Sequence, residues 1–200
     1  KYAELLKHEL LDRIKTGLIH AAKGAQIRDV GADYTNISIM SAFLMDFVGS
    51  EFDLPDLHTK GLRKAKDIYS LYKKNETFSE FNSPTYYGVT LIGLALWREM
   101  ASSKELRLMG KDLENALWKE ISTLYNPNLK NMPGPYFRAY GMDMTEYFSI
   151  TGIWIALALE KPKIAPLATF NGPKYGEMSN IVSIFNLGLS LPKTCLNQLK

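Results

Sequence analysis

The chain has 200 residues, of which 46% are hydrophobic and 22% charged, and its formal net charge at pH 7 is +3. This length is enough to bury a hydrophobic core, and the composition is typical of a globular protein. The small net charge, together with the dispersal of basic residues along the chain, argues against a nucleic-acid-binding surface.

Cofactor and membrane signals are missing from the sequence. The single cysteine, Cys195, rules out an intrachain disulfide, and His8, His20 and His58 do not have metal-ligand spacing. No segment reaches the roughly 18 apolar residues that a membrane helix needs, and there is no phosphate loop or dinucleotide fingerprint. We therefore predict no metal, no cofactor and no membrane. One cysteine and the lack of a signal-like opening favour the cytoplasm, although the sequence assigns no compartment.

The first half of the chain alternates between two kinds of helix. Residues 2–24 have apolar positions on one side only, which predicts an amphipathic helix with Gly24 as its C-terminal stop. The next helix begins near Thr35 and is apolar nearly all round, so we expect it to be buried. A one-sided helix then follows, with Asp53 as its cap and Pro55 in its first turn.

The same alternation continues in the second half. Ser83 and Pro84 are typical of a cap and a first helical position, and they lead into a second buried helix. Residues 103–125 form a one-sided helix with a heavily charged outer face. After a long loop, a third buried helix begins near Thr145 and ends at Pro162.

The sequence therefore predicts an all-α fold with three successive αα-hairpins over residues 1–161. Residues 162–200 form a C-terminal extension with room for one further helix near 176–190. Long loops precede the buried helices and short ones follow them, which favours buried inner helices covered by outer ones, with all long loops at one end. A plain helical bundle or a right-handed solenoid remains the alternative.

Two strings carry a resemblance to a known superfamily. The segments "FSEFNSPTYYGVTLIGLALW" and "GPYFRAYGMDMTEYF" resemble uncharacterised proteins of the (α/α)6 toroid, or six-hairpin, superfamily over roughly residues 1–160. The resemblance implies a partial toroid with a cavity where the inner helices begin. It also implies a small-molecule or oligosaccharide substrate, because members include glycoside hydrolases, polysaccharide lyases and enzymes acting on terpenoid-like alcohols. A closed toroid has six hairpins, so a second chain or a further segment would complete the ring.

Polar residues are crowded at the starts of the three inner helices, and we take them as candidate site residues. The candidates for catalysis are Glu80, Tyr86, Tyr140 and Asp143, and those for substrate binding are Asn36, Asn82, Tyr87, Trp97, Tyr136, Arg138 and Glu146. Asp143 and Glu146 could equally form a capping box. Tyr86 and Tyr87 are consecutive and point about 100° apart on a helix, so at most one faces the cavity well.

Three functions are compatible with this pattern. A carbohydrate-active enzyme would use Glu80 and Asp143 as paired carboxylates, or a tyrosine as base with Arg138 and Asn82 neutralising a substrate carboxylate. An isomerase, dehydratase or cyclase would use an apolar wall; the residues available for it are Met40, Phe43, Trp97, Phe148 and Trp154. A non-catalytic helical scaffold would use the same polar residues only as caps. The pattern favours an enzyme, with the carbohydrate-active type first.

Overall fold

A computed structural model describes residues 3–168 and 175–200, and this part of the chain is all-α. The helices are α1 (His8–Arg28), α2 (Thr35–Glu51), α3 (Pro55–Asn75), α4 (Tyr87–Met100), α5 (Lys104–Leu124), α6 (Ile150–Leu159), α7 (Ile181–Leu187) and α8 (Lys193–Gln198). Short 3₁₀ segments span Ala3–Leu5 and Tyr175–Asn180. Within the described ranges there is no strand, and the pairing of Asn126 with Asn131 is an isolated bridge.

Several helix ends differ from the prediction. Helix α1 does not stop at Gly24 but continues to Arg28, where Asp29 turns the chain with a φ of 41°. Gly24 is tolerated inside the helix because propensity is a weak preference that tertiary context overrides. Asp53 is not the cap of α3, since Leu54 occupies that position, whereas Pro55 lies in the first turn as predicted.

The second and third inner helices begin later than predicted. The Ser83 hydroxyl accepts a hydrogen bond from the Tyr86 amide at 3.3 Å, which closes a separate turn, and α4 begins only at Tyr87. Helix α6 begins at Ile150 instead of Thr145, and the Ser149 hydroxyl caps it by accepting from the Gly152 amide at 2.8 Å. The residues that predicted these two helix starts, Ser83 and Thr145, therefore lie in turns just before the helices.

The alternation of inner and outer helices is confirmed. Helices α2, α4 and α6 bury most of their residues, whereas α3 and α5 are buried along one face and α1 fully buries only Ala22. The most extensive packing joins α2 to α3 and α4 to α5, and α2 and α6 both lie against α4. The pairs are thus an inner helix with the outer helix that follows it, a different grouping from the three outer–inner hairpins of the prediction.

The core lies between these layers, and three tryptophans fill much of it. Trp97, Trp118 and Trp154 are fully buried, and the rings of the last two meet edge to face with centroids 6.1 Å apart. In the C-terminal extension, α7 falls within the predicted 176–190. Helix α8 was not predicted; it packs on α5 and buries Cys195. Residues 169–174 of the extension lie outside the described part of the chain.

Candidate functional site

The N-terminal ends of the inner helices meet at one end of the molecule. The amide of Asn36 in the first turn of α2 donates to Glu80 Oε2 at 3.1 Å, which ties α2 to the loop before α4. The amide of Gly88 in α4 donates to Thr151 Oγ1 in α6 at 2.7 Å. The loops that were expected to gather at this end are therefore brought together there.

Tyr86, Arg138 and Tyr140 form a cluster on this end of the molecule. The hydroxyls of Tyr86 and Tyr140 are in contact, and their rings meet edge to face with centroids 6.0 Å apart. The Arg138 guanidinium carbon lies 5.5 Å from the ring centroid of Tyr86 and 5.5 Å from that of Phe137. Three of the predicted site residues are thus neighbours, and Tyr140 is 45% exposed.

Glu80 lies beneath this cluster and does not reach solvent. Its exposed fraction is 1%, and its Oε1 has no hydrogen-bond partner within the described ranges. Burial raises the pKa of Glu80, while the Asn36 amide and the charge of Arg138 act in the opposite direction. The Glu80 carboxyl therefore does not lie on an exposed surface, and its pairing with Asp143 across a scissile bond stays a prediction.

Two other predicted residues, Asp143 and Tyr136, have local structural partners. Asp143 Oδ1 accepts from the Thr145 amide at 2.8 Å and from its hydroxyl at 2.6 Å, so Asp143 closes a turn. Glu146 is exposed and forms no capping box with it. The Tyr136 hydroxyl donates to the Met132 carbonyl at 2.6 Å, and burial together with the charge of Asp143 raises the pKa of Tyr136.

Trp97 and the two asparagines are structural. Trp97 is fully buried, and its indole donates to the Ile39 carbonyl at 2.9 Å, so in this structure it is part of the core. Asn82 has a φ of 48°, and its Nδ2 donates to the carbonyls of Pro133 and Pro135, each at 2.8 Å. It thereby fixes the long loop before α6. The Asn36 side chain accepts from the next amide along the chain, at 2.6 Å.

Tyr87, the buried one of the two consecutive tyrosines, contacts Glu120, a carboxyl that the sequence analysis did not select as a site residue. Tyr87 is 1% exposed, and its hydroxyl accepts a hydrogen bond from the Asn82 amide and donates one to Glu120 Oε1. The second oxygen, Glu120 Oε2, accepts from the Thr77 hydroxyl at 2.8 Å. A signal was present in the sequence, because Glu120 lies three residues after Leu117 and four before Leu124, on the apolar face of α5.

Glu120 also lies on the wall of an open cleft of about 590 Å³ between the C-terminal parts of α3 and α5. The lining combines aromatic, aliphatic and charged side chains: Tyr72, Lys73, Glu76, Phe81, Ala116, Lys119, Glu120, Thr123 and Leu124. Its volume is in the range of small-ligand sites. The cleft is at the end of the molecule where the loops gather, but on the side of the outer helices.

The pKa of Glu120 lies in the neutral pH range. Burial raises the pKa of Glu120 from 4.5 to about 7, and the hydrogen bond from Thr77 only partly offsets this rise. A carboxyl with such a pKa is partly protonated near neutral pH and can act as general acid or general base. The cleft therefore holds a group suited to proton transfer.

The shifted pKa of Glu120 makes stability depend on pH. Because the folded state holds the Glu120 proton more tightly than the unfolded state, this contribution to stability is complete below about pH 4.5 and is lost as the pH rises through about 7. It amounts to roughly 3 kcal/mol of unfolding free energy. Urea unfolding of the wild type and of Glu120→Gln on both sides of this interval measures it. The same dependence on pH in both proteins would contradict the assignment.

A protein family can be assigned once this geometry is described. A family model with the description Domain of unknown function (DUF8769) matches residues 1–185. The chain belongs to this family. No curated protein and no solved structure shows significant similarity to the chain.

Among residues 3–168 and 175–200 no group of three or more His, Cys, Asp or Glu side chains is placed to hold a metal ion. In the same part of this DUF8769 chain, none of the helices combines the length and the apolar character needed to cross a bilayer.

Proposed function

We propose that the protein is a carbohydrate-active enzyme that works by acid–base chemistry in the cleft between α3 and α5. The observation that carries this proposal is Glu120, a carboxyl with a pKa of about 7 on the wall of a cleft of about 590 Å³. In hydrolysis, protonated Glu120 would give its proton to the leaving oxygen of the glycosidic bond while water adds to the anomeric carbon; in elimination, ionised Glu120 would take the proton from the ring carbon next to the acid group as the C–O bond to the leaving sugar breaks.

The character of the cleft supports a sugar over an apolar ligand. Tyr72 and Phe81 offer rings on which a sugar can stack, while Glu76 supplies a second carboxyl on the same cleft. The pKa of Tyr72 is raised first by burial and also by the charges of Glu120 and Glu76. The charges of both carboxylates therefore act on the Tyr72 hydroxyl. An isomerase or cyclase of terpenoid-like molecules would need a closed apolar pocket, and the predicted wall residues Trp97 and Trp154 are buried in the core.

Tyr87 would have a positioning role in this chemistry. Its hydroxyl is held by the Asn82 amide on one side and contacts Glu120 Oε1 on the other. This contact and the bond from Thr77 fix the orientation of the carboxyl, which leaves proton transfer to occur at the face turned to the cleft. A fixed acid loses less entropy on reaching the transition state.

The experiment compares the wild type, Glu120→Gln and a matched control on a panel of neutral and acidic polysaccharides. The control is Glu105→Gln, an exposed carboxyl on the same helix whose ion pair with Lys66 is exposed. We expect product formation by the wild type, a loss in kcat of about 100-fold or more in Glu120→Gln, and no change in the control. New reducing ends would indicate hydrolysis, and ultraviolet absorbance of an unsaturated sugar would indicate elimination. Full activity of Glu120→Gln would overturn the proposal.

A non-catalytic scaffold is the second candidate, favoured by one observation. Helix α7 and Leu189, two residues after its end, expose large apolar side chains, with exposed fractions of 63% for Val182, 68% for Phe185 and 43% for Leu189. Such a patch is typical of a surface that binds another protein. The resemblance to the toroid superfamily, and the completion of a ring by a second chain or further segment, stay predictions.

A further inference from the structure

Helix α1 has an apolar side that faces solvent. Leu10, Ile14, Gly17 and Ala21 follow one another at spacings of four, three and four residues, which is the spacing of a coiled-coil seam. The exposed fractions of Leu10 and Ile14 are 42% and 44%, and Gly17 and Ala21 are exposed as well. We call these four residues the α1 seam. Such a pattern is typical of a helix that pairs with another helix.

The α1 seam is not the side of α1 that packs in the fold. Leu18, Ile19 and Ala22 belong to the core cluster that α1 shares with α2, and Ala22 is fully buried. At 100° per residue, the centre of the seam lies about a third of a turn away from these three side chains. The fold therefore uses one side of α1 and leaves the large side chains of the seam in solvent.

The α1 seam is complementary to itself in shape. Its N-terminal half carries the two large side chains, Leu10 and Ile14, and its C-terminal half carries the small residues Gly17 and Ala21. When two copies of α1 lie antiparallel, Leu10 is opposite Ala21 of the second copy, and Ile14 is opposite Gly17 of the second copy. Each large side chain then fills the space above a small residue, as close packing requires. A parallel pair would set large against large and small against small.

The antiparallel alignment also accounts for Ile27 in the last turn of α1. Its side chain is a large hydrocarbon with an exposed fraction of 84%. In the alignment Ile27 flanks the seam and lies beside Leu6 of the second copy, a residue just before α1 that is 38% exposed. Because the two copies are related by a two-fold axis, this contact forms at both ends of the pair.

We propose that the protein forms a two-fold symmetric dimer in which the α1 seam of a second copy of this chain lies antiparallel on its own. The partner is a second copy because the seam contains both the large residues and the small residues that receive them. A contact of this kind closes on itself. It is therefore not the continuation of inner and outer helices that completion of a toroid would need, and it does not depend on the proposed enzyme activity.

Sedimentation equilibrium of the 200-residue chain tests the dimer. One pair of helices about 30 Å long is a small interface, so we expect a reversible dimer with a dissociation constant in the micromolar range. Ile14→Glu puts a carboxylate into the seam at two symmetric places and should raise the dissociation constant about 100-fold or more. The matched control is Leu108→Glu, since Leu108 is a 59% exposed leucine on α5, another outer helix. It should leave the dissociation constant unchanged.

A pair of charge substitutions tests the antiparallel alignment. In this alignment Arg13 lies beside His20 of the second copy, and both side chains are exposed in the single chain. His20→Glu creates two symmetric ion pairs with Arg13 and should lower the dissociation constant about 5-fold. Adding Arg13→Glu sets carboxylates against each other and should raise the dissociation constant above that of the wild type. A parallel pair would not bring these two positions together.

The inference is overturned by a wild type that stays monomeric at the highest concentration that sedimentation can measure, including one that binds phosphatidylglycerol vesicles through the same face. It is also overturned by a dimer that Ile14→Glu leaves intact. A dimer that dissociates in Phe185→Asp instead would place the interface on α7, where Phe185 is exposed. An unchanged dissociation constant in His20→Glu would contradict the antiparallel alignment and with it the proposed dimer.

Discussion

Gly88→Ala is expected to destabilise the protein by about 3 kcal/mol, because helices α4 and α6 approach each other too closely at this point for a methyl group. A Cβ on Gly88 would lie 2.2 Å from the amide nitrogen of Thr151 and 2.3 Å from the carbonyl carbon of Ile150. Backbone atoms cannot rotate away as a flexible side chain would. The two helices must separate, and the hydrogen bond from the Trp154 indole to the Gly88 carbonyl, now 3.1 Å, lengthens.

Urea unfolding followed by circular dichroism measures the loss of unfolding free energy in Gly88→Ala. In thermal unfolding, the melting temperature should fall by roughly 6–12 °C for a chain of this length. Gly24→Ala is the matched control. A Cβ on Gly24 would have no neighbour within 4 Å, and Gly24 lies inside α1. That variant should gain roughly 0.5–1 kcal/mol from helix propensity. Equal effects of the two substitutions would contradict the close approach of α4 and α6.

Arg98→Met is expected to cost about 3–5 kcal/mol of unfolding free energy, because it leaves the Glu114 carboxyl buried without its cation. The side chain of Glu114 is fully buried, and Arg98 is its ion-pair partner at 2.6 Å. Burial already raises the pKa of Glu114, and the charge of Arg98 opposes this rise. Without Arg98 the carboxyl takes up a proton more readily, so the loss of stability should grow as the pH rises.

A double-mutant cycle separates the pair from the cost of an unpaired charge. We expect Arg98→Met with Glu114→Leu to be less destabilised than Arg98→Met alone, since no charge then remains buried. Amide hydrogen exchange should also rise near residues 181–188 in Arg98→Met, because Arg98 Nη2 bonds to the carbonyl of Gly188 at the end of α7. Losses that simply add in the double variant would show that Arg98 and Glu114 are not coupled.

The candidate site shows where reasoning from sequence stops. The crowding of tyrosine and carboxyl residues before α4 was visible in the sequence, and the structure does bring Tyr86, Arg138 and Tyr140 together. Glu80, from the same short stretch, is instead a buried cap of α2. A loop sequence does not distinguish a buried residue that caps a helix from an exposed residue of a site. Only the packing of the loop against α2 decides which side chains stay exposed.

The sequence by itself determined the all-α class and the alternation of inner and outer helices, because the number of apolar faces on a helix fixes how much of it must be buried. The tertiary structure alone decided the pKa of Glu120. Desolvation and hydrogen bonding depend on groups far apart in the chain, here Glu120 beside Thr77 and Glu80 beside Asn36, and no local pattern encodes such a meeting.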